Sequence, residues 1–285
     1  LRSYVKVTDP KGRTKETFTD TRGKVRSVKE SDGGANNILT KYTYNWLGEI
    51  LTVKDNADNT TVVVYDQLGR RISINNPDTG LAEYIYDGIN LVGKKTAEFT
   101  SPITYTYEFE RLTEINYPYN PANNVKYYYG QTRDPIDMLK NRQGRIKEIK
   151  YGDGTNCGLG SQEFEYDYIG NVSKDIQFIN KPETLPACSV QQAFTTTYTF
   201  DMLGRMKEMT YPDGEVMKYE YDFAGLIKSA HTESAACSST YTYISNISYD
   251  KFGQRTDVEG GNGISSWYTY YPDNRRISQI ITGKA

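Results

Sequence analysis

The residues of this sequence that could carry out chemistry are few and widely spaced. The single histidine, His231, lies two residues before Glu233, and a histidine beside an acid could serve as a general base. Its neighbours form no recognisable catalytic motif and resemble a variable turn, so we expect an exposed loop residue at this position. Because no nucleophile, base and acid occur together in a known pattern, we predict that the chain is not an enzyme.

Aspartate recurs along the chain, and repeated carboxylates could bind calcium. Calcium-binding β-helix repeats need a periodic Gly-Gly-x-Gly-x-Asp pattern, whereas Gly260-Gly261-Asn262-Gly263 occurs once. An aspartate that is followed by two residues and a glycine is typical of a turn whose backbone N–H groups bind the carboxylate. We therefore expect turn-capping aspartates, no metal site and no cofactor.

The composition limits the class of protein. Hydrophobic residues make up 37% of the 285 residues, and this figure includes 26 tyrosines. The aliphatic residues that remain are too few for a thick aliphatic core. Lys and Arg number 34 against 36 Asp and Glu, so no basic excess indicates nucleic acid or an anionic membrane surface. Apolar runs are far shorter than the roughly 18 residues of a membrane span, and the first residues lack a signal-peptide pattern. The chain does not begin with Met, which favours a piece of a longer protein.

An aromatic residue followed by Asp-x-x-Gly recurs along the chain, and this repeat dominates the sequence. The aromatic positions 44, 65, 86, 107 and 128 are spaced by 21 residues, as are 200 and 221, and 249 and 270. We call the aromatic position the slot and the Asp-x-x-Gly segment after it the motif turn. The predicted structural residues of the motif are Tyr44, Gly48, Tyr65, Asp66, Gly69, Arg70, Tyr86, Asp87, Asn90, Tyr166, Asp167, Gly170, Phe200, Asp201, Gly204, Arg205, Tyr221, Asp222, Gly225, Tyr249, Asp250 and Gly253.

One period of the repeat predicts one β-hairpin. Between Gly204 and Tyr221 the chain alternates as a strand, reverses at Pro212-Asp213-Gly214, and alternates again before the next motif turn. Gly or Asn fills the fourth position of each motif turn, which predicts a left-handed backbone there. We therefore predict an all-β protein of tandem β-hairpins that form one continuous curved sheet, with strands of about 6 residues.

We predict a single repeat region over residues 1–285. It has worn repeats in 1–43, regular repeats in 44–130, repeats with insertions in 131–199, and repeats with one insertion in 200–285. The longest insertion includes a degenerate turn, Asn141-x-x-Gly144, which predicts an additional reversal of the chain.

The three cysteines, Cys157, Cys188 and Cys237, all lie in stretched periods. An odd number fits either three reduced thiols or one bridge with a free thiol. We expect Cys157 and Cys188 on adjacent hairpin tips and Cys237 two hairpins further, and a bridge needs Cα atoms within about 7 Å. If a disulfide forms, Cys157–Cys188 is therefore the favoured pair.

The motif Tyr65-Asp66-x-x-Gly69-Arg70, with its repeats over nearly the whole chain, resembles the YD or Rhs repeat. Proteins of that kind include bacterial Rhs polymorphic toxins, the B and C components of Tc toxins, and the extracellular region of teneurins. The resemblance implies a strip of hairpins that spirals into a hollow shell around a toxic domain. The terminal core that carries the self-cleavage aspartates has no counterpart here. Asp134-Pro135 lacks the glycine that should follow, and Asp9-Pro10-Lys11-Gly12 begins a repeat and lacks the context of that core.

Two functions follow from this resemblance. The first is a non-catalytic wall segment of a shell that encloses a toxin or another cargo polypeptide, with further repeats of the parent chain and the cargo as partners. The alternative is an extracellular adhesion module whose aromatic side chains bind a glycan or a protein receptor. Both imply a secreted or cell-surface location, with no nucleic acid and no membrane insertion by this segment.

Overall fold

The computed structural model describes residues 3–34, 36–152, 160–180, 191–234 and 240–284. Two compact units, Leu1–Asn124 and Val125–Ala285, divide the chain. The three cysteines lie outside the described residues, so the disulfide prediction concerns a part of the chain that the structure does not describe.

The first unit is a meander of short antiparallel strands. Each strand pairs with the next one along the chain, from β1 to β11. A short 3-10 helix, Pro121–Asn123, follows the last strand. The strands are β1 (Ser3–Thr8), β2 (Thr14–Thr19), β3 (Val25–Ser31), β4 (Asn37–Tyr44), β5 (Ile50–Lys54), β6 (Thr60–Tyr65), β7 (Arg71–Asn76), β8 (Gly80–Asp87), β9 (Asn90–Lys95), β10 (Ile103–Glu108) and β11 (Arg111–Asn116).

The second unit repeats this arrangement with longer strands and one α-helix. Again each strand pairs antiparallel with its successor, from β12 to β23. Its elements are β12 (Val125–Tyr129), α1 (Pro135–Leu139), β13 (Ile146–Tyr151), β14 (Gly160–Tyr166), β15 (Val172–Asn180), β16 (Gln191–Phe200), β17 (Met206–Thr210), β18 (Glu215–Tyr221), β19 (Ile227–Ser234), β20 (Thr240–Tyr249), β21 (Arg255–Gly260), β22 (Ile264–Tyr270) and β23 (Ile277–Lys284).

The consecutive pairing confirms the predicted all-β fold of tandem hairpins. Strand lengths range from 5 residues in β5 to 10 in β16, around the expected value. The register shifts by one residue just before the slot residue, as at Tyr65 and Tyr221. Such a bulge fits a hairpin loop that ends on a left-handed glycine, because the extra residue strengthens the local twist.

One face of the sheet carries most of the aromatic side chains in both units. Side chains alternate between faces along a strand, so the residue two places before a slot shares the slot's face. The two buried aliphatic side chains among the described residues, Val63 and Ala230, lie on this face, Ala230 opposite Tyr219. The other aromatic residues two places before a slot are half-buried: Tyr42, Tyr84, Tyr105, Tyr127, Phe164, Tyr198 and Tyr268.

The longest insertion forms a helix instead of the additional hairpin turn that the sequence predicts. Asp134 caps α1 by accepting the N–H groups of Ile136 and Asp137, and Pro135 occupies the first turn. The N–H of Gly130 donates to the carbonyl of Arg145 at 2.9 Å, so residues 130–145 act as one long turn between β12 and β13.

Two positional predictions are wrong. In β12 the register shift precedes Tyr129, which is therefore the slot residue, whereas the spacing of 21 places the slot at residue 128. His231 lies in β19 opposite Lys218 and is half-buried, so it is a strand residue and not the expected loop residue. Near these insertions, residues whose composition is typical of a turn are paired within strands instead.

Within the described part of the chain, no helix is long and apolar enough to span a membrane.

Because the first and last of the described strands each leave one edge unpaired, we predict that this 285-residue polypeptide self-associates. Among the described strands, β1 pairs with β2 alone and β23 with β22 alone, and both carry exposed aliphatic side chains such as Val5 and Ile280. Unpaired strand edges of this kind template pairing with another chain. We expect light scattering to give a mass well above 32.5 kDa for the isolated polypeptide.

The combined substitution Val5→Lys and Ile280→Lys should lower that mass, because charges on an edge strand oppose pairing. Val64→Lys is the control, since Val64 is also exposed but lies in β6, which pairs with a strand on each side. A monodisperse monomer of the unsubstituted chain would contradict the prediction.

Candidate functional site

The candidate site is the motif turn together with the side chains that connect it to the next repeat. At Asp66 the backbone N–H donates to the carbonyl of Arg70 at 2.9 Å, and the N–H of Gly69 donates to the carbonyl of Asp66 at 3.1 Å. The carboxylate oxygen Oδ1 of Asp66 accepts the N–H groups of Leu68 and Arg70, both at 2.9 Å. The φ angle of Gly69 is +77°, in the left-handed region that favours glycine.

The same set of bonds recurs in both units. The carboxylate or carboxamide oxygen accepts the N–H four residues ahead in the turns that begin at Asp9, Asp20, Asn45, Asp55, Asp167, Asp201, Asp222 and Asp250. Because the aspartate satisfies N–H groups that strand pairing cannot reach, a five-residue reversal leaves few backbone donors unpaired.

The turn at Asp87 departs from this geometry. Asp87 and Asn90 are paired within β8 and β9, and the left-handed residue is Gly88, with φ +55°. The expectation that Asn90 adopts a left-handed backbone is therefore wrong. Glycine at the first of two central positions allows a shorter hairpin, so the fourth residue joins the strand.

In two of the described turns an arginine after the motif glycine links the turn to the following slot. The Nε atom of Arg70 donates to Oδ2 of Asp66 at 2.7 Å, and its guanidinium carbon lies 4.4 Å from the ring centroid of Tyr86. Arg205 repeats both contacts, at 2.7 Å with Asp201 and 4.5 Å with Tyr221. The positive charge thus lies between a carboxylate and an aromatic face, both of which attract it.

At seven slots in the described part of the chain the tyrosine hydroxyl forms a second link between repeats. It donates to the carbonyl of a residue at the start of the strand that follows the previous motif turn. The distance is 2.7 Å from Tyr221 to Met206, for example. The further donor–acceptor pairs are Tyr44–Val25, Tyr86–Arg71, Tyr107–Leu91, Tyr166–Ile146, Tyr249–Ile227 and Tyr270–Arg255, at distances up to 3.2 Å.

Successive motif turns also touch along their edge of the sheet. A Cβ atom at Gly48 would lie 2.7 Å from Cε of Lys24, and one at Gly170 would lie 2.8 Å from a guanidinium nitrogen of Arg145. Both side chains belong to the residue that follows the previous motif glycine. At these two positions the glycine therefore has two roles, since it supplies the left-handed backbone and makes room for the neighbouring repeat.

The two central residues of the motif turns project apolar side chains into solvent. Trp46 is 82% exposed and Met202 is 94% exposed. Other exposed residues at these positions are Leu47, Leu68, Ile89, Tyr168, Ile169, Leu203, Phe223 and Phe252. The turns at the opposite edge are more polar, as at Asp55–Asp58.

The protonation of the turn follows from its hydrogen bonds. The N–H of Arg70, followed by the guanidinium of the same residue, holds the pKa of Asp66 below its ordinary value, and Arg205 does the same for Asp201. Burial raises the pKa of the slot residues Tyr166 and Tyr221 above the ordinary phenol value. At neutral pH the carboxylates are charged acceptors and the phenols are neutral donors, as the network requires.

A buried ion cluster beside α1 was not anticipated from the sequence. Asp137 is 2% exposed, and its Oδ2 accepts the N–H of Gln131 at 2.8 Å and lies 3.3 Å from Nζ of Lys147. Arg142 is also buried, and its Nε donates to the carbonyl of Phe164 at 2.6 Å. The signal in the sequence was Asp134-Pro135, which is typical of a helix start.

Among the described residues, no group of three or more His, Cys, Asp or Glu side chains is arranged to hold a metal ion. The recurring hydrogen bonds and arginine–ring contacts join neighbouring repeats.

Known proteins show the same fold. No family model matches the chain. Toxin subunit YenC1 of Yersinia entomophaga is 29% identical over 91 residues, which are 32% of this chain and 9% of that protein. The crystal structure of TcdB2-TccC3-Cdc42 matches with a TM-score of 0.77 and 18% identity over 95% of this chain and 14% of the matched chain.

The Photorhabdus luminescens Tc holotoxin pore matches with a TM-score of 0.78 and 19% identity, over 98% of this chain and 14% of the matched one. These similarities confirm the resemblance to Rhs and Tc toxin proteins that the motif predicts, at the level of the fold. The chain spans only a small part of the length of the proteins that it matches.

Removal of a slot hydroxyl should lower the stability of the folded chain. Tyr221→Phe deletes the hydrogen bond to Met206 and keeps the ring. We expect the free energy of unfolding in urea to fall by about 0.5–1.5 kcal/mol, the usual contribution of one such bond. Tyr241→Phe is the matched control, because the hydroxyl of Tyr241 has no hydrogen-bond partner among the described residues. Equal effects of the two substitutions would show that the hydroxyl does not link the repeats.

The turn aspartates predict a loss of stability in acid. The folded-state pKa values of Asp66 and Asp201 lie below the unfolded ones, so their contribution is full above the unfolded pKa and is lost as pH falls through the folded pKa. We expect the urea midpoint to decrease between about pH 5 and pH 2. The double substitution Asp66→Asn and Asp201→Asn should flatten this decrease, since Asn45 shows that a carboxamide oxygen can cap the turn.

Asp273→Asn is the control for the acid titration, because Asp273 is exposed and its side chain has no partner among the described residues. If the double variant followed the pH dependence of the unsubstituted chain, the turn carboxylates would not be its source.

Proposed function

We propose that this chain is a non-catalytic wall segment of a hollow Rhs-type shell that encloses a toxin or another cargo polypeptide. The observation that carries the proposal is the single-layered meander in each unit, whose fold is shared with the Tc toxin complexes. A wall needs a continuous sheet and no second layer, whereas a free-standing domain of this size buries a substantial aliphatic core.

The arrangement of the polar side chains supports a structural role. The recurring Asp and Arg residues bind each other and the turn backbone, as Asp66 and Arg70 do. The recurring tyrosine hydroxyls bind backbone carbonyls of the preceding hairpin. Side chains that form these hydrogen bonds stabilise neighbouring repeats. The free energy of unfolding should then increase with the number of repeats, as in other repeat proteins.

The partners in this proposal are further repeats of the parent chain and the enclosed polypeptide, and the location is secreted or at the cell surface. The curated relative that matches part of the chain is a toxin subunit, which favours the same setting. The exposed aromatic tips, including Trp46 and Phe223, favour the adhesion module with a protein or glycan receptor as a second candidate.

Limited proteolysis of the full parent chain tests the wall. A Cβ atom at Gly261 would lie 1.6 Å from the carbonyl oxygen of Thr242, so Gly261→Ala must displace a strand. We expect this substitution to expose the enclosed polypeptide to protease. Gly263→Ala is the matched control in the same turn, because nothing lies within 4 Å of its Cβ position and only its φ of +77° strains an alanine.

Electron microscopy of the same chain supplies a second measurement, and it should show a closed container with density inside. A solid particle, or a cargo segment that protease cuts as fast in the unsubstituted chain as in Gly261→Ala, would overturn the proposal.

A further inference from the structure

A small cleft lies in the first unit, beside the edge of the sheet opposite the motif turns. It encloses about 310 Å³, between the loop that follows β9 and the loop that follows β11. Phe99 and Tyr119 form its aromatic wall, and Lys94, Asn120 and Asn123 contribute polar side chains. Ligand sites commonly combine an apolar wall with a few polar groups, in cavities from about 300 Å³ upward. This volume is enough for one small ring and not for an extended chain.

The aromatic wall is held in place before anything binds. The rings of Phe99 and Tyr119 stack with their centroids 4.9 Å apart and their planes at 25°. The N–H of Ser101 donates to the Tyr119 oxygen at 2.7 Å, and the Thr100 hydroxyl forms a further hydrogen bond with it. These bonds lower the pKa of Tyr119 to about 8. Both rings nevertheless remain substantially exposed.

The polar side chains of the cleft are available to a ligand. Among the residues that the structure describes, the side chains of Lys94, Asn120 and Asn123 have no hydrogen-bond or ion-pair partner. They offer an ammonium group and two carboxamides, which can both donate to and accept from hydroxyl groups. Among the described residues no carboxylate lines the cleft, so none of them compensates the charge of Lys94 there.

We propose that this cleft binds a pyranose sugar that carries a carboxylate, such as a hexuronic acid unit of a glycan. The flat C–H face of the sugar would pack on the aromatic wall, its hydroxyls would bind the carboxamides of Asn120 and Asn123, and its carboxylate would pair with Lys94. This activity is separate from the wall function, because the cleft uses loops that lie away from the motif turns.

An apolar side chain of a polypeptide fits the cleft less well. It would cover the aromatic wall but leave the ammonium and carboxamide groups partly desolvated without partners, which costs free energy. A neutral sugar would satisfy the carboxamides and leave the charge of Lys94 unpaired. An acidic sugar satisfies all three groups.

Binding of methyl glucuronide and methyl glucoside to the 285-residue chain tests the proposal by saturation-transfer NMR and calorimetry near neutral pH. The two probes differ only in the carboxylate. We expect the glucuronide to bind about tenfold more tightly, the scale of one charge-assisted hydrogen bond. Lys94→Gln should reduce the glucuronide affinity to that of the glucoside.

Lys95→Gln is the matched control and should leave both affinities unchanged, because Lys95 lies 3.6 Å from Glu83 and does not line the cleft. Phe99→Leu should lower the affinity for both sugars to the same extent. Far-ultraviolet circular dichroism of each variant establishes that the sheet is intact. If Phe99→Leu does not fold, Asn120→Ala replaces it as the test of the neutral contacts.

Absence of glucuronide binding to the folded chain would overturn the proposal, and so would equal affinities of the Lys94→Gln and Lys95→Gln variants. Displacement of the glucuronide by N-acetyl-phenylalanine amide at equal concentration would overturn it as well, in favour of a peptide site. None of these outcomes bears on the proteolysis of the parent chain. The proposal of a wall function and the proposal of a sugar site can therefore be refuted independently.

Discussion

The structure depends on how a chain reverses direction in five residues without leaving its backbone groups unpaired. Strand pairing satisfies the N–H and C=O groups on either side of a reversal but not those within it. At Asp66 the carboxylate supplies the missing acceptor for two N–H groups, while Gly69 supplies the left-handed backbone that closes the turn. The contacts of Arg70 with Asp66 and with the ring of Tyr86 start from this fixed geometry.

Because the turn is fixed, Arg70 and Arg205 reach equivalent places in their two repeats. The guanidinium of Arg205 is anchored by Asp201 and therefore meets the ring of Tyr221. The same ring carries the hydroxyl that binds Met206. A slot residue thus joins its own strand to the turn before it, which couples neighbours without a second layer of structure. Phe200 retains the ring at its slot but lacks the hydroxyl, so that slot cannot form this bond.

A single layer has consequences for both of its faces and both of its edges. The tyrosine-rich face is half-buried, and Tyr tolerates this position since its polar end can remain bonded. The edge with the motif turns exposes residues such as Trp46 and Met202, whereas the opposite edge holds the cleft of Phe99 and Tyr119. Surfaces of this kind are available for contact with a cargo, a further repeat or a sugar.

The sequence by itself determined the local structure. The spacing of Tyr65, Asp66 and Gly69 is repeated often enough to predict the hairpins, their turns and their order, because these depend on contacts within about five residues. It did not determine α1, the strand position of His231 or the shift of a slot to Tyr129, because each depends on how an insertion pairs with distant strands. Only the tertiary structure decided which carbonyls the slot hydroxyls bind, which side chains approach Gly48 and Gly170, and that Lys94 lines one cleft with Phe99 and Tyr119. Those contacts join residues of different hairpins, and a periodic sequence specifies how far apart the repeats are along the chain but not which atoms meet across them.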